Sequence, residues 1–152
     1  KSIFGTRSQK DEEMVNWAIR ATGLEDFENR QLDSLSGGQR QRAWIAMALT
    51  QDTDVLLLDE PTTYLDLAHQ IEILELLKDL NNKTKKTIVI VIHELNHAAR
   101  YAHNLVCMKN GNIYSQGEVE DVFNEDMLRD VFGVDSIVIS DPITQRPMCI
   151  PK

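Results

Sequence analysis

Two short apolar runs, Val55-Leu56-Leu57-Leu58 and Thr87-Ile88-Val89-Ile90-Val91-Ile92, enclose a segment whose apolar residues recur at helical spacing. That order leaves few ways to fold. Runs that are apolar almost throughout and rich in branched side chains predict strands buried on both faces, the pattern of parallel sheets. Parallel neighbours need a crossover of a dozen or more residues. Leu67 to Leu80, with Ile71, Leu74 and Leu77 apolar, supplies one as a helix. The strand–helix–strand order predicts an α/β domain with a mainly parallel sheet. Ligands of such sheets bind beyond the carboxyl ends of the strands. Here those ends carry Asp59-Glu60-Pro61 and His93.

The flanks add helices before the unit and a mixed region after it. From Asp11 to Ala21 the apolar positions Met14, Val15, Ala18 and Ile19 share a helical face, and Gly23 is placed to stop the helix. A second helix is predicted from Ser36, whose hydroxyl can cap the first-turn N–H groups, through Trp44, Ile45, Ala48 and Leu49. Glu94 to Ala102 reads as helix. Leu105 to Met108 and Ile113 to Gln116 flank Lys109-Asn110-Gly111-Asn112 as a β-hairpin. Val119 to Phe123 and Asp126 to Phe132 read as short helices, and Ser136 to Ile139 as a last strand before a Pro-punctuated tail.

Composition narrows the classes. With 152 residues, 42% hydrophobic and 26% charged, the chain can bury a real core, which excludes disorder. No apolar run approaches the roughly 20 residues that span a bilayer, so contact with a membrane is expected only through a partner. A formal charge of −8 argues against a nucleic-acid partner, since Arg40 and Arg42 alone make no basic patch. Cys107 and Cys149 have no metal-like spacing and predict buried free thiols in a reducing compartment. The first residue is Lys1, not Met, so the true N-terminus is expected upstream.

Leu35-Ser36-Gly37-Gly38-Gln39 opens the second helix with two glycines, leaving uncovered N–H groups at the positive end of the helix dipole. Twenty residues after Gln39 comes Asp59, with Glu60 beside it. One such carboxylate can hold Mg²⁺ through its waters and the other can orient an attacking water. Six residues beyond Glu60, Leu65-Asp66 precedes the crossover helix, and His93 ends the second strand. Each feature has an ordinary reading as well: a capped helix entry, a solvated turn, an N-cap. Their order and spacing together decide otherwise.

Taken together these segments resemble the ATP-binding cassette (ABC) family of transporter ATPases, from about Ser8 to the C-terminus. Leu35 to Gln39 match its signature loop, Val55 to Asp59 its Walker B strand and Glu60 its catalytic carboxylate. Leu65-Asp66 matches its D-loop and His93 its switch histidine. The resemblance implies the second part of a P-loop NTPase (RecA-like) core, residues 51–152, preceded by part of the helical signature subdomain, residues 1–50. It implies ATP and Mg²⁺ as ligands of the full-length protein, with Asp59 serving Mg²⁺ through water, and Glu60 and His93 as the catalytic pair. By the same resemblance Ser36, Gly37, Gly38 and Gln39 would contact nucleotide held by a second copy, in a head-to-tail dimer whose interface includes Asp66. Transmembrane permeases would be the other partners, at the cytoplasmic face of a prokaryotic membrane. Arg40-Gln41-Arg42-Ala43-Trp44, Thr63-Tyr64-Leu65-Asp66-Leu67, His97-Ala98-Ala99-Arg100-Tyr101 and Asp141-Pro142-Ile143-Thr144 are similar to the branch that imports iron-siderophores, haem and vitamin B12.

One departure matters. No glycine here is followed by lysine, so the phosphate-binding Gly-x-x-x-x-Gly-Lys-Ser/Thr is absent, and a piece of a longer protein is expected. Two rival readings come from other classes. His93-Glu94-Leu95-Asn96-His97 also fits the zinc-protease pattern, which requires both histidines on one helix. The β-branched run before His93 argues against that. The other rival is a non-catalytic interaction module. His69, His97 and His103 read as helix-surface residues, and Trp17 and Trp44 as packing residues.

Overall fold

The computed structural model describes residues 8–152. The chain forms two compact units, one ending at Val91 and the other running from Ile92 to Lys152. This is a different partition from 1–50 and 51–152, which follows family subdomains and stands as a proposal.

In the first unit, helix α1 (Gln9–Ala21) starts with a reciprocal cap between Ser8 and Asp11 and stops as predicted, with Gly23 at φ 66°. Helix α2 (Gly37–Leu49) is capped by Ser36. Strand β1 (Val55–Asp59) pairs in parallel with β2 (Thr87–Val91), in register from Val55↔Thr87 to Asp59↔Val91. Between them runs α3 (Leu67–Thr84), capped by Asp66 and closed by Lys85 in the left-handed region at φ 58°. The core joins the inner faces: Ala18, Ile45, Leu49, Leu56, Ile73 and Leu77 are buried, with Leu58, Ile88 and Ile90 packed against them.

Only one face of the β1–β2 pair is covered, so the prediction of two-sided burial fails among the described residues. Leu56 alternates with Val55 and Leu57 across the pleat, and Leu57 is 73% exposed. Val89 and Val91 share that open face in β2. Trp17 packs on the core as predicted, but Trp44 is nearly half exposed, since α2 turns Ile45, Ala46 and Leu49 inward instead.

The second unit holds α4 (Leu95–Tyr101) and the predicted hairpin, β3 (Asn104–Lys109) with β4 (Asn112–Glu118). Asn110 and Gly111 both take positive φ at its turn, which is why an Asn-Gly pair suits it. Helix α5 (Val119–Val122) and the helical residues Glu125–Met127 and Leu128–Phe132 follow. Strand β5 (Ser136–Ser140) is joined antiparallel by β6 (Pro147–Pro151), a strand unforeseen in the tail. Proline cannot donate to a ladder, but here it stands only at the two ends of the strand. The Asn96 amide holds β6 by both its groups, donating to Cys149 O at 3.1 Å and accepting from Cys149 N at 2.8 Å. Ala99, Cys107, Val119, Phe123, Leu128 and Cys149 form this unit's core, and both thiols are free. Burial pushes both thiols above their ordinary range. No helix of the described residues is long and apolar enough to cross a membrane.

Candidate functional site

A helix N-terminus leaves several N–H groups without partners inside the helix. At α2, Ser36 Oγ accepts the Gln39 N–H at 3.3 Å while Gln39 Oε1 accepts the Ser36 N–H at 3.0 Å. This reciprocal cap uses the third N–H of the turn. The Gly37 and Gly38 N–H groups remain at the positive end of the dipole, as an anion-facing helix start requires. Leu35, immediately before the cap, is buried and anchors the loop.

The carboxylate pair stands where β1 ends. Asp59 is exposed and lies opposite Val91 in the ladder, and the Glu60 N–H donates to Val91 O at 3.1 Å. Glu60 itself sits at φ 47°, a left-handed conformation that turns the chain sharply out of the strand. Its carboxylate accepts the Thr63 hydroxyl at 2.9 Å. Thr62 is buried beneath the turn, and the next residue after Thr63, Tyr64, is again left-handed with its side chain fully exposed. The turn leads to Asp66, whose Oδ1 accepts from both the His69 N–H at 3.0 Å and His69 Nδ1 at 2.8 Å. These two donors, the backbone one foremost, hold the Asp66 carboxyl below the usual carboxylate range.

Tertiary packing brings the helix start and this turn together. A Cβ on Gly37 would lie 3.4 Å from Leu65 Cδ2, and one on Gly38 would lie 2.7 Å from His69 Cδ2, so position 38 admits only glycine while the ring is there. A cleft of about 200 Å³ opens beside them, lined by Ser36, Gly38, Gln39, Arg42, His69 and Glu72 among others. The ion pair Arg42–Glu72 at 3.0 Å spans α2 and α3 one turn further along. His69 reads from the sequence as a plain helix-surface residue. Its only sequence signal is its place three residues after an N-cap Asp.

His93 belongs to the second unit, two residues beyond the end of β2. It precedes α4, whose N-cap is Glu94, so His93 and His97 do not share a helix. The zinc-protease pattern needs both histidines on one helix, and nothing in the structure supports that rival. Among the described residues no three His, Cys, Asp or Glu side chains gather as a metal site. In the same unit the branch-like segments around Arg100 and Asp141 meet. Asp141 Oδ1 accepts the Ile143 and Thr144 N–H groups at 2.7 and 3.0 Å, and Arg100 lies 4.0 Å from its other oxygen.

The chain matches the ABC transporter family model over residues 2–63. It is 56% identical over 144 residues to the petrobactin import ATP-binding protein FpuD of Bacillus anthracis, covering 95% of this chain and 53% of that protein. A solved ABC transporter of metal-chelate type, in an inward-facing conformation, superposes with a TM-score of 0.88 at 28% identity, over 99% of this chain and 61% of that one. The ATP-binding cassette MJ0796, in a dimeric post-hydrolysis state bound to ADP and Pi, gives a TM-score of 0.62 at 33% identity, over 76% of this chain and 50% of that one. The chain thus spans about half the length of the curated relatives it matches. With a carboxylate-ended parallel strand and a Ser-Gly-Gly helix start packed on the Asp66 turn, the chain is similar in sequence and in fold to the ATP-binding proteins of the ABC transporter family.

Proposed function

We propose that the full-length protein hydrolyses ATP as the energy-supplying subunit of an importer for iron-siderophore complexes. The observation that carries this is the packing of the Ser36–Gln39 helix start on the Asp66 turn, six residues after a strand-end Glu60. Relatives named for petrobactin import, for siderophore transport and for iron(3+)-hydroxamate import support the choice of cargo class. Its partners would be a second copy of the subunit and transmembrane permeases, at the cytoplasmic face of the membrane.

Each residue has a task in this reading. The Gly37 and Gly38 N–H groups and the Ser36 hydroxyl face phosphate oxygens of a nucleotide bound by the opposite copy, where a helix start favours negative charge. Asp59, an exposed oxygen donor at the strand end, fits a hydrated Mg²⁺, which would neutralise phosphate charge when bound. Glu60 orients the attacking water and accepts its proton, with the Thr63 hydroxyl fixing the carboxylate. His93 would hold the γ-phosphate, and Asp66 would lie in the dimer interface.

Glu60→Gln keeps the acceptor that Thr63 uses and removes the basicity. In full-length protein with its permease, ATP binding should persist while turnover falls about 100-fold or more. The variant should also accumulate as an ATP-bound dimer on size exclusion, whereas Asp59→Asn should raise the Mg²⁺ concentration needed for activity. Wild-type turnover in Glu60→Gln would remove this residue from the chemistry and leave the pair as a solvated turn.

A further inference from the structure

The His69 side chain fills the space between two segments that the proposed reaction needs in fixed relation. One edge of its ring, Cδ2, occupies the place where a side chain on Gly38 would begin, 2.7 Å from that Cβ position. The other edge, Nδ1, donates to Asp66 Oδ1 at 2.8 Å, because an ionised carboxylate can only accept. The same oxygen caps α3 through the His69 N–H at 3.0 Å. The ring is thereby a spacer of fixed thickness, tied to the cap of one helix and pressed on the first turn of another. One helical turn on, Arg42 and Glu72 repeat the link between α2 and α3, and Arg42 Nη1 also donates to Thr22 O at 3.2 Å beyond the end of α1. The back of the contact is therefore held by an ion pair, and at its front His69 stands against Gly38 beside the contact of Leu65 with Gly37.

We propose that His69 is a positioning residue for ATP hydrolysis: it sets the distance and angle between the Ser36–Gln39 helix start and the Asp66 turn. This role rests on the ATPase reading above. The His69 side chain is 43% exposed and lies outside the apolar core to which Leu65 is packed, so its removal leaves that core intact. What changes is the aim of the Gly37 and Gly38 N–H groups. Donors that stabilise charge in a transition state lose much of their effect when displaced by a fraction of an ångström to an ångström.

Three substitutions separate spacer from donor. Asn places an amide nitrogen and an oxygen where His has Nδ1 and Cδ2, keeping both the hydrogen bond and the contact. Leu keeps the bulk without the donor, and Ala keeps neither. In the full-length protein with its permease, His69→Ala should lower kcat about tenfold, with KM for ATP within about twofold of wild type. Thermal unfolding should stay close to wild type, as expected for a half-exposed side chain. His69→Asn should recover most of the lost rate and His69→Leu should fall between. Turnover by His69→Ala at the wild-type rate would overturn the role, and so would equal losses in the Ala and Asn variants. If the wild-type complex itself hydrolyses no ATP, the ATPase reading fails and this role with it. Wild-type-like His69→Ala in a hydrolysing complex sinks the His69 role alone.

Discussion

Asp141 shows how a single carboxylate can tie two distant segments and leave a pH signature. The Thr144 and Ile143 N–H groups, with the Arg100 guanidinium adding a smaller effect, hold its carboxyl below the ordinary value of 3.8. A carboxyl that ionises more readily in the folded state stabilises that state fully above the unfolded value, and the contribution fades as pH falls through the folded one. Asp141→Asn can still accept the two N–H groups but carries no charge. Its thermal midpoint should therefore lie below wild type at neutral pH, and the gap should close as pH drops below about 4. A gap that stays constant from pH 7 to pH 3 would show that charge plays no part. At this scale the sequence revealed local roles where a residue acts through its own neighbours: Ser36 and Asp66 as helix caps, Asp59 and Glu60 as the end of a strand. His69 was not legible, because its partner in the contact, Gly38, lies 31 positions earlier and gives no local sign of what presses on it.

Helices and strands were legible wherever one face had to be apolar. Helix α3 turns Ile73, Leu74, Leu77 and Leu80 inward and keeps Ile71 partly exposed. Ile73 is wholly buried between α2 and the sheet, so Ile73→Ala should cost about 2–5 kcal/mol through lost contacts and a cavity. Ile71→Ala on the same helix should cost less than about 1 kcal/mol. Chemical denaturation of the full-length protein separates the two, and equal costs would contradict the assigned core face. The strands were harder. The run Val55 to Leu58 reads as buried on both sides, yet composition reports only that a face is meant to be covered, not by what. Strand β6 escaped notice because its prolines stand at both ends and its partner pairing, with β5 and with the Asn96 amide, is entirely non-local.

At the scale of the whole molecule, binding of ATP is expected to need residues that the 152 described by this sequence do not contain. The sequence holds no Gly-Lys pair to cradle phosphates, and in the proposed reading the Ser36–Gln39 helix start contributes only when a second copy holds the nucleotide. Calorimetric titration of Mg-ATP into residues 1–152 should show no micromolar binding, whereas the full-length protein should bind. Micromolar binding by 1–152 alone would point to a nucleotide site outside the signature loop. What the sequence alone determined here was the kind of most elements and which polar residues stand at the ends of β1, α2 and α3, since periodicity, caps and carboxylate placement act within a few residues. It took the tertiary structure to decide which ends meet: that the His69 ring stands where a side chain on Gly38 would begin, that β6 pairs with β5, and that among the described residues one face of β1 and β2 stays open. Those outcomes depend on excluded volume and on pairing between residues far apart in the chain, and a pattern local in sequence carries no record of either.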